Sequence, residues 1–302
     1  MRVLVTGAGG RTGSLVFENL KKESARFEPL GLARSKKAKR VLAKKGASDN
    51  EIVSGDVSDR EGLVKAMRGC EAVVLCTSAV PAIKPWSIVK VLFKKQILRR
   101  ADAGRPEFKF PQKGTPEEVD WIGAKNQIDA AVEAGVKKFI FVSSMGGTDP
   151  ENFLNSIGRR EDGSGGDILL WKRKAERYLI ASGLDYTIVH PGGLVDEAPE
   201  KRELLVGVDD ELLELKSRSI PRADVARVCC AALDTPEASN VSLDLASKPP
   251  GEGNPTHDPA SVFRTVGGDR VYDYSTVLPD PPSIFPTTVQ DAIKSYCLPR
   301  AK

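Results

Sequence analysis

Gly7, Gly10 and Gly13 fall three residues apart, with Gly9, Arg11 and Thr12 among them, directly after a short apolar run at residues 3–5. The run reads as a buried strand and residues 14–20 as a helix. A glycine turn between strand and helix suits a phosphate-bearing ligand. Gly7 permits the tight turn, Gly10 lets backbone N–H groups approach a pyrophosphate, and Gly13 lets the helix pack close to the strand. The anion then sits at the positive end of the helix dipole. The chemistry expected of this stretch is dinucleotide binding; the bland alternative is a glycine turn that only packs a strand on a helix.

The end of the next strand, residues 27–33, decides which dinucleotide. A site that prefers NAD carries an acid about 20 residues past the glycines, on the ribose 2′-OH. Here that place holds Arg34, followed by Ser35, Lys36 and Lys37. The planar guanidinium donates bidentately to a phosphate. Such a charge-assisted contact is worth about 1.5–3 kcal/mol, on the order of 10- to 100-fold in affinity. NADP(H) is expected over NAD(H), against the alternative of a solvated basic loop.

These residues need elements to hold them. Further strands are expected at residues 51–57, 72–76, 136–142 and 186–189, alternating with helices. That alternation gives an α/β fold, a Rossmann-like doubly wound parallel sheet, with ligands gathered at the carboxyl ends of its strands. Asp56, Val57, Thr77, Ser78 and Ala79 are cofactor-side candidates by that placement. Ser143 and Ser144 stand where a catalytic serine would sit, whereas His190 reads as structural. Helices are expected at residues 58–68, with Ser58 as N-cap, and from the Thr115/Glu118 capping box to Ala134, closed by Gly135. Another runs from Asp167 to Ser182, and another from Arg222 to Leu233; residues 149–166 read as loop. Short segments at 204–206 and 219–220 and a strand at 241–245 make a small C-terminal region on the substrate side. Residues 260–266 and 288–296 read as short helices.

Composition excludes several classes. The 302 residues are 40% hydrophobic and 28% charged, an ordinary globular balance. A net charge of +4 is too small to argue for nucleic acid. No apolar run approaches the roughly 18 residues of a transmembrane segment. With a strand from residue 2, no signal peptide is expected, and earlier removal of a transit peptide stays open. Five cysteines without metal spacing point to no metal and to a reducing, intracellular compartment.

Two stretches stand apart. Residues 84–100 carry six basic residues and no acid, within a connection (81–114) long enough to be functional or disordered. A lid, a partner-docking arm, a membrane-surface contact and a solvated insertion are all open for it. The tail from Gly267 holds Pro279, Pro281, Pro282 and Pro286. Such a tail rarely makes its own core and is expected to pack on the domain or on a partner.

The chain resembles the atypical short-chain dehydrogenase/reductase family. The matching pieces are Thr6-Gly7-x-x-Gly10-x-x-Gly13, Gly135-Val136-Lys137-Lys138 leading to Ser143-Ser144, Pro191-Gly192-Gly193 and Arg222-x-Asp224-Val225-Ala226. A plant-type branch of NADP-binding proteins that includes sanguinarine reductase is resembled further. It shows in Val119-Asp120-Trp121-Ile122-Gly123, Ser144-Met145-Gly146-Gly147-Thr148 and Trp171-Lys172-Arg173-Lys174-Ala175-Glu176. The resemblance covers about residues 1–266, an NAD(P)-binding domain. The basic stretch, about 84–102, looks like an insertion, and 267–302 like a Pro-rich extension.

The resemblance implies that Pro191, Gly192 and Gly193 also face the cofactor. The family's Tyr-x-x-x-Lys motif falls on Ile168 and Lys172. The lysine that holds the nicotinamide ribose is present, and the usual proton donor is not. General acid catalysis contributes about 10²–10⁴-fold, so ordinary ketone reduction is disfavoured. The expected function is an NADPH-dependent reductase for a small-molecule acceptor needing little proton help: an iminium, flavin, quinone or enone. Ser143 or Ser144 would hydrogen-bond that substrate, and Met145 and the insertion would wall the pocket. The alternative is a non-catalytic NADP(H)-binding sensor or scaffold docking a protein partner through residues 84–100 and 267–302. An isomerase using bound NADP has nothing specific in its favour. The plant resemblance implies a cytoplasmic or plastid-stromal location.

Overall fold

The computed structural model describes residues 1–83, 86–87, 108–111, 113–266, 271–276 and 278–285. The chain alternates strand and helix: β1 (Arg2–Thr6), α1 (Gly13–Lys22), β2 (Glu28–Ala33), α2 (Lys36–Lys44), β3 (Ile52–Ser54), α3 (Arg60–Met67) and β4 (Ala72–Leu75). A short hairpin follows, β5 (Ala82–Ile83) against β6 (Phe108–Lys109). A π-helical stretch, Glu117–Gly123, runs straight into α4 (Ala124–Ala134), and then come β7 (Lys138–Val142), α5 (Phe153–Ser156), α6 (Ile168–Ile180) and β8 (Asp185–Pro191). The last part holds β9 (Gly193–Val195), β10 (Leu204–Gly207), β11 (Ser219–Pro221), α7 (Arg222–Ala231), β12 (Val241–Ser247) and α8 (Ser261–Thr265).

The main sheet has the order β3-β2-β1-β4-β7-β8-β12-β10. All pairs are parallel except the edge pair β10–β12. The strand order reverses at β1–β4, where a doubly wound sheet opens its ligand crevice. This is the Rossmann-like fold that the alternation predicts. The strands read as unbroken apolar runs because both faces are covered. Their alternate residues serve opposite cores. Val3, Val5, Val74, Ile140 and Val189 pack with Phe17 and Leu20 of α1 and Val225 of α7. Leu4, Val73, Leu75, Phe139 and Phe141 pack with Met67 of α3, Ile128 of α4 and Trp171 of α6.

Several local expectations shift. The N-cap of α3 is Asp59, which accepts from the Gly62 N–H at 3.0 Å. Ser58 instead donates its backbone N–H and its hydroxyl to Asp56, each at 2.9 Å. A carboxylate accepts more strongly than a hydroxyl, so Asp59 takes the helix end. The Thr115/Glu118 capping box forms in both directions, but its helix begins as a π-helical stretch and becomes α only at Ala124. Residues 149–166 are not all loop: Asn152 caps the short helix α5 by accepting from the Leu154 N–H at 3.0 Å. Residues 36–44, which follow the Arg34 turn, form α2 with Ser35 as N-cap.

The described part of the tail folds back onto the domain. Tyr272 is buried, the Asp273 N–H donates to Asp209 at 2.7 Å, and Lys174 pairs with Asp280 at 2.8 Å. Ser283 and the Ile284 N–H both reach Glu117. Most of the basic stretch 84–100 and the expected helix 288–296 lie outside the described residues. Among the described residues no helix is long and apolar enough to cross a membrane.

Candidate active site

The glycine turn has the geometry that a phosphate cradle needs. Gly7 takes φ +65°, and its carbonyl accepts from the Gly10 N–H at 2.8 Å. A Cβ on Gly7 would lie 2.6 Å from the Cys76 carbonyl oxygen, and one on Gly13 would land on the Gly7 carbonyl. Both contacts are with backbone, so neither can yield cheaply. Gly9 is held differently: a Cβ there would strike Ala38 of α2. Thr12 enters α1 without a side-chain cap, and no acid occupies the first turn. The helix thus keeps its positive end uncompensated, as an anion site requires. Arg11 pairs with Asp196, which Arg222 also reaches at 2.8 Å.

Arg34 ends just beyond β2, 64% exposed, with its Nε 3.6 Å from Asp56. The Ser35 hydroxyl accepts from the Ala38 N–H at 3.2 Å, so it caps α2. At the other strand ends, Val57 accepts from the Asn126 amide at 3.0 Å, and the Gln127 amide donates to Thr77 at 3.2 Å. Gly192 lies so close to the Arg218 carbonyl that a side chain could not enter, and Pro191 ends β8.

Beside the turn lies a pocket of about 290 Å³. Thr12, Ser78, Ser143, Ser144 and Lys172 supply its polar lining, and Phe110, Leu154, Ile157 and Leu169 are among its apolar walls. Residues from the turn, the ends of β4, β6 and β7, and helices α5 and α6 are thus brought together. Ile168 also lines the pocket, one helical turn before Lys172. Met145 does not wall it; that side chain is buried with Leu212 and Ala246. Cys76 lines the pocket too, and burial pushes its thiol up to about 12 despite nearby Lys172.

Lys172 is held from behind. Its ammonium lies 2.8 Å from Asp120, with the two side chains 6% and 0% exposed. The other Asp120 oxygen accepts from the Ala79 N–H at 3.0 Å. The π-helical stretch packs Asp120 and Trp121 inward together, a distortion that often marks functional sites.

Behind Ser143 lies a second buried group. The Ser143 hydroxyl donates to Glu176 Oε1. Around Oε2 stand the Tyr274 hydroxyl at 3.1 Å, His190 Nε2 at 3.2 Å and Arg173 at 3.5 Å. Burial alone would raise the Glu176 carboxyl, but His190, Arg173 and Ser143 outweigh it and hold it at about 2. Burial would lower His190; Glu176 and Asp244 outweigh it and raise it. Asp244, 3.7 Å from His190 Nδ1, is pushed up to about 7 by burial, against His190. The Arg173 guanidinium lies over the Tyr272 and Tyr274 rings at 4.9 and 3.8 Å. His190, which the sequence reads as structural, belongs to a buried network that ends at the pocket.

Asp120, Glu176 and Tyr274 are the site residues that sequence reasoning did not assign. The first two lie inside motifs that carry the family resemblance, which was the available signal. Tyr274 lies in the extension and gave none.

A family model described as NAD(P)H-binding matches residues 7–236. Sanguinarine reductase from Eschscholzia californica is 45% identical over 272 residues, covering 88% of this chain and 96% of that protein. An uncharacterized chloroplastic protein of Arabidopsis thaliana is 49% identical over 266 residues, covering 88% and 75%. A solved structure from Bacillus halodurans, provisionally assigned as an NAD-dependent epimerase/dehydratase, superposes with a TM-score of 0.64 at 27% identity, covering 88% and 100%. With a nucleotide turn, a switch-point crevice and these likenesses in agreement, the chain belongs to the NAD(P)H-binding family of Rossmann-like proteins.

Proposed function

We propose that the protein is an NADPH-dependent reductase whose acceptor needs little proton donation. The observation that carries this reading is Ile168 in the pocket wall, four residues before Lys172. The position suited to a tyrosine acid holds a side chain that cannot donate a proton, while the lysine remains. A cationic or readily reduced acceptor tolerates that loss, whereas a simple ketone does not.

The residues fit the cofactor. Gly7, Gly9, Gly10, Arg11, Thr12 and Gly13 would take the pyrophosphate on backbone N–H groups. Arg34 and Ser35, at the start of α2, would take a 2′-phosphate; this favours NADP(H) over NAD(H). Asp56, Val57, Thr77, Ser78 and Ala79 would border the adenosine and ribose side, and Pro191, Gly192 and Gly193 the nicotinamide side. Lys172, fixed by Asp120, would hold the nicotinamide ribose. The bound dinucleotide supplies hydride. The apolar walls, Phe110, Leu154, Ile157 and Leu169, exclude water and orient a flat acceptor. Ser143 and Ser144 are the polar groups placed to touch it.

The scaffold reading loses part of its basis, since tail residues 271–276 and 278–285 are spent on the domain itself. It now depends on residues 84–100 and on the part of the tail outside the described residues. The chloroplastic relative supports a plastid location, with the cytoplasm as the alternative.

The test is NADPH oxidation against iminium, flavin, quinone and enone acceptors, with simple ketones as controls and Lys172→Ala alongside. Turnover of the first group that falls in Lys172→Ala is the expected result. Tight NADPH binding with no turnover of any acceptor would overturn the reading.

A further inference from the structure

The tail docks at three places, and each adjoins a residue that holds part of the pocket. The first is Glu117, at the start of the π-helical stretch and 5% exposed. The tail supplies donors to both of its oxygens: the Ser283 hydroxyl to Oε1, and the Ile284 N–H to Oε2 at 2.7 Å. Burial raises the Glu117 carboxyl, and these two donors oppose the rise. Further along the same stretch, Asp120 holds Lys172 at 2.8 Å. The second place is α6. Arg173, next to Lys172, donates to the Asp273 carbonyl and stacks on the Tyr272 and Tyr274 rings. The Tyr274 hydroxyl stands 3.1 Å from Glu176 Oε2, while Glu176 Oε1 takes the Ser143 proton. The third is the turn after β10, where the Asp273 N–H donates to Asp209 at 2.7 Å. The neighbouring Asp210 holds the loop after Ser144, accepting from the Gly146 and Thr148 N–H groups at 2.6 and 2.9 Å.

We propose that tail residues 272–276 and 278–284 form a strap that completes the dinucleotide site from behind. By clamping the π-helical stretch to α6, the strap fixes Asp120 and Glu176, and through them Lys172 and Ser143. The Lys172–Asp120 pair spans the two clamped elements, so its geometry depends on how they sit together. Without the strap, the buried Glu117 carboxylate loses the donors on both its oxygens, and Arg173 loses its two ring partners and a carbonyl. A buried charge stripped of its partners is costly, and the stretch and α6 relieve that cost by shifting towards water. Strap docking and NADP(H) binding therefore favour each other, and by linkage each strengthens the other by the same factor. The proposal rests on the reading of Lys172 as the lysine that holds the nicotinamide ribose, and it makes the extension part of that site. Tyr274 and Ser283 are positioning residues, acting through Glu176 and Glu117.

The test reads both directions of the coupling in the full chain. Ser283→Asp sets a second carboxylate against Glu117 and should weaken NADPH binding about 10-fold in a fluorescence titration. In Glu117→Gln/Ser283→Asp the side-chain amide can donate to the introduced carboxylate, and most of the affinity should return. Tyr274→Phe keeps its ring on Arg173 but takes the hydroxyl from Glu176, and should weaken NADPH binding about 5-fold. In the other direction, saturating NADPH should slow hydrogen exchange of the wild-type strap amides about 5-fold more than that of α8, which takes no part in the site. Stabilisation of the whole fold by a bound ligand would slow both alike. Equal protection of strap and α8 overturns the proposal. So does a Ser283→Asp protein with lowered Tm and unchanged NADPH affinity, for the tail would then be packing alone. If Ser283→Asp fails to fold, Tyr274→Phe and the wild-type exchange decide. NADPH binding without turnover of any acceptor would sink the reductase reading and leave these readouts to decide the strap, whereas a wild type that binds no NADPH overturns both.

Discussion

Breaking the Lys172–Asp120 pair from either side should destabilise the fold sharply, and replacing both partners should restore most of the loss. The ammonium and carboxylate are 2.8 Å apart and 6% and 0% exposed. Neither can recover hydration when its partner is removed. Leaving one buried charge uncompensated costs about 3–5 kcal/mol. With an unfolding entropy of about 2.1 cal/mol/K per residue, that loss lowers Tm by about 5–8 °C for a chain of 302 residues. Asp120→Asn isolates the lysine but keeps an oxygen for the Ala79 N–H, whereas Asp120→Ala also orphans that donor, for a further 1–3 kcal/mol or so. Lys172→Met isolates the carboxylate. The double variant Asp120→Asn/Lys172→Met removes both charges and, like other buried pairs replaced by uncharged groups, should come close to the wild type. The assay is urea and thermal unfolding of all the variants without added dinucleotide, since a ligand that binds only the folded state would mask the difference. Losses in the two single variants that add within about 0.5 kcal/mol would show that the partners act independently. The idea that Asp120 fixes Lys172 for its task would then be wrong.

Other consequences concern cofactor, turn and pH. Arg34→Ala should weaken NADPH binding about 10- to 100-fold while leaving NADH binding unchanged; equal effects on both in a fluorescence titration would remove the 2′-phosphate role. Gly13→Ala should abolish tight dinucleotide binding, because its Cβ lands on the Gly7 carbonyl. Gly46→Ala, at φ +85° with open space around the new methyl, should cost only about 1 kcal/mol of backbone strain, read by urea melts. Asp244 has a folded-state pKa raised from 3.8 to about 7, so the native protein holds that proton longer than the unfolded chain does. Its burden on stability is absent below 3.8 and grows as pH rises towards 7. Asp244→Asn should therefore raise Tm at pH 8 and leave it nearly unchanged at pH 3.5; a gain of equal size at both would exclude the ionisation as its cause.

Much of the architecture was legible because it follows from local pattern. Apolar runs alternating with amphipathic stretches give a parallel sheet covered on both faces, and Gly7, Gly10 and Gly13 mark the phosphate turn. Local chemistry misled where two caps competed: Ser58 and Asp59 are both good N-caps, but the Asp59 carboxylate is the stronger acceptor and takes the helix end, while Ser58 turns to Asp56. The π-helical start of α4 was not legible. Thr115 and Glu118 announce a helix start, but the partners of Asp120 and Trp121, Lys172 and Tyr178 on α6, lie far along the chain.

The sequence by itself determined the fold class, the nucleotide turn, the basic residue beyond β2 and the absence of a tyrosine at position 168, since each rests on residue type at a fixed local spacing. Only the tertiary structure decided what stands behind the pocket. Asp120 and Lys172 are 52 residues apart in the chain, and Ser143, Glu176, His190 and Tyr274 come from a strand end, a helix, another strand and the tail. Their protonation and hydrogen-bond directions depend on burial and on partners distant in the chain, and neither is written in local spacing. The same holds for the tail, whose proline-rich composition suggests no core of its own. Tyr272 and Tyr274 find one by stacking on Arg173, a contact that exists only once α6 and β8 have been brought together.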